Sequence, residues 1–500
     1  MGDVMKVLFV FPDLASDITN YTGVTSYGVS ILSALCKEAG FETELLHLTQ
    51  EPTRAGFVEK IAAAQPGLIA FSTNSHYARR LPEWTEWAAE GASAPIAVGG
   101  VHPTLSPEEV INLPHVSHIC IGEGEEAFLE LCRALDEGRD TTGIANLWVK
   151  QDGVIHRNEM RPLIRDLDTL PDPDYGLFQF EELYPVRRGL FPYIMSRGCA
   201  FRCTYCSVHA LRELSPRGVK FWRFLSPRHT AEQLRDMIAR HKADIDKVQF
   251  LDAILFPNMR WLREFAPLYK ELVGLPFSCN MRADFVTEES AALMADMGCE
   301  IVRFGVESGD DYISDEILDR SLEVEDIRRA FAILRRHGME RWSYNIVGIP
   351  EENLESALKT IRLNAEIDPE LAIAFIFYPY PGTRLHDRCV EKGYMTDKEF
   401  DHYFQGVATR MPDFSEGDIL FLHRFFRPLI RLYRFGNRWQ GEGRERWVDF
   451  VDGVLRSPLL PRHTIVKVHM AYRRLRHNMG EFLVNRSPGL YRLLGGTDPV

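Results

Sequence analysis

Short apolar runs recur along the first 380 or so residues, each followed by a stretch with helical spacing. That alternation confines the chain to parallel α/β architecture, because strands apolar on both faces must be covered by helices on both sides. It occurs twice. The first series has strands at Val7–Phe11, Phe41–Leu48, GLIAFST (67–73), PIAVGG (95–100) and HICIG (118–122). Helical spacing over 25–39 ends at Gly40, a plausible C-cap, and Ala127–Leu135 reads as the last helix of the series. The second series has strands at 192–196, 247–252, 277–280, 301–307, 341–348 and 373–380. Six strand–helix repeats imply a barrel short of eight units and open on one side. In both architectures function gathers at the carboxyl ends of the strands.

The expected organisation is an α/β chain of three parts and a connector. Residues 1–140 form a doubly wound, Rossmann-like domain, and 191–400 a partial (β/α)6 barrel. The helical, basic C-terminal region is 401–500. Between the two domains, 141–190 hold a hairpin (NLWVKQDGVIHR, turning at Asp152-Gly153) and a linker, LPDPDYG (170–176). At roughly 100–200 residues per domain, 500 residues suit this count.

Net charge is −13, which argues against nucleic acid as a general partner. The C-terminal 80 residues invert that sign, with about 15 Lys and Arg against 6 Asp and Glu. Phe425, Phe426, Leu429, Ile430, Leu432, Tyr433 and Trp439 interleave there with Arg427, Arg431, Arg434 and Arg438. The favoured expectation is a helical cap on the open barrel. The alternative is a basic amphipathic helix on an anionic membrane surface. No apolar run reaches the ~18–20 residues of a membrane span, and the first residues do not read as a signal peptide, so a cytoplasmic location is expected.

SRGCAFRCTYCS (196–207) follows the first strand of the second series. Cys199, Cys203 and Cys206 have C-x3-C-x2-C spacing, whereas Cys36, Cys120, Cys132, Cys279, Cys299 and Cys389 have no motif spacing. Three thiolates on one short loop can wrap three corners of a four-iron cube and leave the fourth iron open. Zinc closed by His209 into a Cys3His set is the alternative.

This loop resembles that of the radical S-adenosylmethionine (SAM) superfamily, and the resemblance continues through FGVESG (304–309), NIVGIPEE (345–352) and FYPYPGT (377–383). It implies a [4Fe–4S] cluster on the three cysteines, with SAM chelated at the open iron. Tyr205 would lie against the adenine, although an aromatic there also suits simple loop packing. Glu307 and Ser308 would face SAM's polar groups, the alternative being a buried carboxylate paired with Arg282. Gly348 would admit backbone close to the adenine, and Pro350 would fix that turn. Asp252 stands alone where relatives often carry paired acids.

The first series resembles the cobalamin-binding domain of one radical SAM subgroup, on FSTN (71–74), VGGVHPTLSPEE (98–109) and ICIGEGEEAF (119–128). The implied cobalamin contacts are Ser72, Thr73, Gly99, Gly100, His102, Gly122, Glu123 and Gly124. Glu123 would accept ligand hydrogen bonds or cap the next helix. The D-x-H-x-x-G motif, whose histidine ligates cobalt, is missing, and His102 does not fit it.

Together these resemblances imply a methyltransferase acting on an unactivated carbon. An adenosyl radical would take a hydrogen atom and methylcobalamin would donate the methyl, with an external electron donor such as flavodoxin or ferredoxin. The substrate would be a small molecule, lipid-like or tetrapyrrole if the basic tail meets a membrane. The alternative keeps the cofactors but performs oxidative cyclisation or rearrangement. A methylthiotransferase would need three further cluster cysteines, which Cys36, Cys120 and Cys132 do not supply. A non-enzymatic sensor is the remaining class.

Overall fold

The structure is a computed structural model that describes residues 4–15, 21–241, 244–396, 398 and 406–472. The first sheet contains β1 (Lys6–Pro12), β2 (Glu42–Leu48), β3 (Leu68–Ser72), β4 (Ile96–Gly99), β5 (His118–Cys120), β6 (Leu147–Gln151) and β7 (Val154–Arg157). Their order is β2-β1-β3-β4-β5-β6-β7, and β1 to β5 are parallel. Strands β1, β3 and β4 are almost wholly buried, which is why they read as continuous apolar runs.

The hairpin corrects the expected boundary. Its strands β6 and β7 pair antiparallel and extend the first sheet past β5, so that sheet runs to residue 157. Asp152 and Gly153 both have positive φ, 50° and 78°, as a type I′ turn requires. The linker reading of 170–176 is also corrected. Tyr175 is buried and stacks on Phe180 with ring centroids 5.2 Å apart, while Asp174 accepts from Ser33 Oγ and Lys37 Nζ, both at 2.6 Å. Tyr175, Phe178, Phe180, Leu183 and Val186 join the cores of the two sheets into one apolar cluster. Proline and aspartate gave this segment a linker's look, but the aromatics that follow make it a wedge.

The second unit contains β8 (Leu190–Tyr193), β9 (Ser196–Arg197), β10 (Arg223–Phe224), β11 (Lys247–Phe250), β12 (Phe277–Met281), β13 (Cys299–Glu307), β14 (Glu340–Val347) and β15 (Leu371–Ile376). Six of these form one parallel sheet in chain order, β8-β11-β12-β13-β14-β15, while β9 and β10 pair separately as a short antiparallel ladder. No pairing joins β15 back to β8 among the described residues, so the barrel is open as expected.

Helix Glu416–Phe435 packs on β15 and on helix Leu354–Ile367. Phe426, Leu429, Ile430 and Tyr433 are buried there and cover the edge of the barrel, while Leu432 and Trp439 stay exposed. No helix among the described residues is long and apolar enough to cross a membrane.

Candidate active site

The cysteine loop leaves β9 through Gly198, whose φ is +81° and whose missing Cβ makes room for the Phe221 carbonyl. The loop is fastened from the far side of the barrel. Thr204 N donates to Leu318 O at 3.0 Å, Thr204 Oγ1 to Ile317 O at 2.6 Å, and Leu385 N to Thr204 O at 3.0 Å. Cys199, Cys203 and Cys206 are all free thiols, partly exposed.

These residues suit an anionic cluster. Burial raises the Cys203 thiol, while the Arg320 and Arg282 guanidinium groups act in the opposite direction. Burial likewise pushes Cys206 up to about 11, with Cys203 and Cys199 adding to the rise, and Cys199 adds to that of Cys203. Among the described residues no three His, Cys, Asp or Glu side chains stand ready-closed as a metal cage. His209, the fourth ligand of the zinc alternative, lies in helix Ser207–Leu214 with Nε2 3.6 Å from Glu213.

Tyr205 Oη donates to Glu307 Oε1 at 3.2 Å. Glu307 ends β13 with φ of +61°, a left-handed conformation that is costly for a side-chain-bearing residue and common at functional sites. Burial raises its pKa, opposed by Arg320, so its charge partner is Arg320 and not Arg282, which pairs with Asp284. Ser308 is buried and serves its own turn, accepting from Asp310 N at 3.1 Å.

Gly348 has φ of +86°, and its N–H donates to Glu352 Oε2 at 2.6 Å. A Cβ there would press on Ile419, 3.2 Å away, so the space expected to admit adenine faces helix Glu416–Phe435. Pro350 lies in the following turn. Asp252, just beyond β11, accepts from Ser196 Oγ and from Met195 N at 3.1 Å, and burial raises its carboxyl to about 7.

In the first unit a cavity of about 270 Å³ opens at the carboxyl ends of the sheet. Ser72, Gly99, Gly100, Gly122, Glu123 and Gly124 line it, but Thr73 and His102 do not. Thr73 is buried behind Gly100, whose φ of +109° sets its α-carbon against the Thr73 backbone. His102 is buried, with Nδ1 3.3 Å from Ser75 Oγ and Nε2 3.6 Å from Glu109.

Glu123 is engaged within the protein and does not cap the next helix. Its carboxylate accepts from Arg197 at 3.0 Å, from Arg223 at 2.7 Å and from Ile164 N at 2.8 Å, and the following helix has no side-chain cap. Burial opposes its charge, yet the two arginines hold its pKa below the ordinary value. Sequence reasoning missed Tyr27, Glu125 and Arg197, which also line the cavity. Arg197 was in view, directly before Gly198 and Cys199, but nothing in the sequence joins it to a pair of acids more than 70 positions earlier.

A second cavity, about 410 Å³, lies where the two units face each other. Asn74, Ser75, His76, Tyr77 and Val101 come from the loops after β3 and β4, Ser207 follows the third cysteine, and Tyr380 follows β15. The strand ends of the first sheet therefore share one space with the cysteine loop and the end of β15.

The radical SAM superfamily model matches residues 193–363, and the B12-binding domain model matches 19–132. The chain belongs to the B12-binding radical SAM enzymes. Its cofactors are accordingly a [4Fe–4S] cluster, SAM and cobalamin. The radical SAM domain thus contains the cysteine loop, and the B12-binding domain contains the lined cavity.

The radical SAM enzyme is similar to an uncharacterized methyltransferase of Pyrococcus horikoshii, 28% identical over 408 residues, covering 80% of this chain and 86% of the relative. It is also similar to the anaerobic magnesium-protoporphyrin IX monomethyl ester cyclase of Rubrivivax gelatinosus, 24% identical over 437 residues, covering 83% of this chain and 75% of the relative. Among solved structures it shares the fold of the radical SAM methyltransferase TsrM of Kitasatospora setae, with cobalamin and a [4Fe–4S] cluster bound. The TM-score is 0.62 at 19% identity, covering 78% of each chain.

Proposed function

We propose that this chain is a cobalamin-dependent radical SAM methyltransferase that places a methyl group on an unactivated carbon of a small molecule. The observation that carries this reading is the cavity shared by the loops after β3 and β4, Ser207 beside the cysteine loop, and Tyr380. A substrate held there lies between both cofactor-bearing surfaces, so orientation within one chain replaces diffusion between two.

When bound, the cluster and SAM supply one-electron chemistry and the corrin supplies a transferable methyl. The protein holds and orients. Cys199, Cys203 and Cys206 hold the cluster, beside the positive charge of Arg282 and Arg320. Tyr205, Glu307, Ser308, Gly348 and Pro350 border SAM, with Glu307 fixed by Tyr205 and facing Arg320. Ser72, Gly99, Gly100, Gly122 and Gly124 form the wall that meets cobalamin. Glu123 works one step back, clamping that wall to the barrel. An external flavodoxin or ferredoxin supplies electrons.

A second reading is oxidative cyclisation of a tetrapyrrole, favoured by the likeness to the Rubrivivax cyclase over most of both chains. Stoichiometry separates the two. After anaerobic reconstitution with iron, sulfide and hydroxocobalamin, a methyltransferase converts SAM to both S-adenosylhomocysteine and 5′-deoxyadenosine. Formation of 5′-deoxyadenosine without the former, in the presence of substrate, would overturn the methyltransferase reading.

A further inference from the structure

The B12-binding cavity has a polar feature that no contact among the described residues explains. Glu125, in the first turn of helix Glu125–Asp136, lines the cavity with its side chain only 8% exposed. One oxygen, Oε1, binds Arg197 Nη2. The other, Oε2, is buried and has no hydrogen-bond partner among the described residues. A buried carboxylate oxygen without a donor is destabilising, so its retention beside an open space points to a donor that arrives with a ligand.

The size and lining of the cavity narrow what arrives. About 270 Å³ admits one flat heterocycle with part of its sugar, not a corrin ring. Phe9, Phe71, Phe128 and Leu131 line it, a setting for an aromatic base, while Glu125 is an acceptor only. Cobalamin carries such a base on a ribose whose hydroxyl is an O–H donor.

We propose that Glu125 is the specificity-determining anchor for the nucleotide arm of cobalamin. The base occupies the apolar part of the cavity, and a ribose hydroxyl donates to Glu125 Oε2. Arg197, on the other oxygen, holds the carboxylate in place and aims it. This inference rests on the assignment of cobalamin to the first domain and adds a residue and a ligand group to it.

Absorbance titrations with hydroxocobalamin and with cobinamide, which lacks the nucleotide, test it on the cluster-loaded protein. Wild type should bind hydroxocobalamin at least ten-fold more tightly than cobinamide. Glu125→Gln lets the amide oxygen face Arg197 and turns an NH2 toward the cavity. Glu125→Asp keeps the charge but withdraws the oxygen. Both variants should bind hydroxocobalamin about ten-fold more weakly, with cobinamide affinity and iron content unchanged; unchanged cobinamide binding also reports that the variant is folded. Equal loss on both ligands in both variants would mark Glu125 as structural and overturn the proposal. So would unchanged hydroxocobalamin binding, or a wild type without preference between the corrins. Wild type that binds neither corrin would instead sink the cobalamin assignment itself.

Discussion

Tyr205 reaches across the mouth of the barrel to Glu307, its Oη 3.2 Å from Oε1, so one hydrogen bond ties the cysteine loop to the end of β13. The two residues stand 102 positions apart. Glu307 keeps its left-handed backbone within this contact, beside Arg320, whose Nη1 donates to Val306 O at 2.6 Å. Tyr205→Phe should preserve the ring and remove only the bond. The expected result is an intact cluster by electron paramagnetic resonance, a loss of stability near 1 kcal/mol and a several-fold weaker affinity for SAM. Unaltered SAM affinity would show that the contact serves the loop alone.

Replacing Cys199, Cys203 and Cys206 together by Ala should abolish iron incorporation and SAM cleavage. Hydroxocobalamin binding should persist, because the cavity in the first sheet is built without those residues. Iron analysis, mass spectrometry of SAM products and an absorbance titration measure the three readouts. Zinc recovered in stoichiometric amount from anaerobically prepared wild type would contradict the cluster assignment.

Glu123 accepts from two arginines of the other unit, and Arg223 is only 8% exposed. Glu123→Gln strands part of that buried positive charge, a change that typically costs 3–5 kcal/mol. Urea denaturation should show a loss of that order. Limited trypsin digestion should cut within residues 158–189 sooner than in wild type.

Glu352 is the clearest source of pH-dependent stability. Its buried carboxyl titrates at about 8, above the ordinary 4.5, because burial outweighs the hydrogen bonds from Gly348 N and Ile349 N. The folded chain therefore keeps a proton that the unfolded chain releases between those two values. Its contribution is fully present below about 4.5 and is lost as pH rises toward 8, by at most roughly 1.4 kcal/mol per pH unit. Glu352→Gln retains the acceptor but has no proton to lose. Urea midpoints of wild type and variant should diverge as pH rises from 5 to 8 and run parallel above it; parallel curves throughout would refute the assignment.

The barrel was legible because each of its strands is an apolar run of its own, and β8, β11, β12, β13, β14 and β15 pair in the order in which they occur. The cysteine loop was legible because its chemistry lies within eight positions. What escaped the sequence are relations between distant residues. The β6–β7 hairpin looks the same from sequence whether it stands alone or extends a sheet. Gly348 announces a positive φ but not that Ile419 fills the space beside it. Arg197, Glu123 and Glu125 are ordinary surface residue types until the fold buries them together.

That triad has a bearing on how such a chain can be rearranged. The carboxylates lie on one side of the connector and the guanidinium groups of Arg197 and Arg223 on the other. A gene divided there would make two products, each burying or baring ions whose counter-charges had left with its sibling. Recombination that swaps either half must bring a matching charge set with it, so the two halves are inherited as a couple.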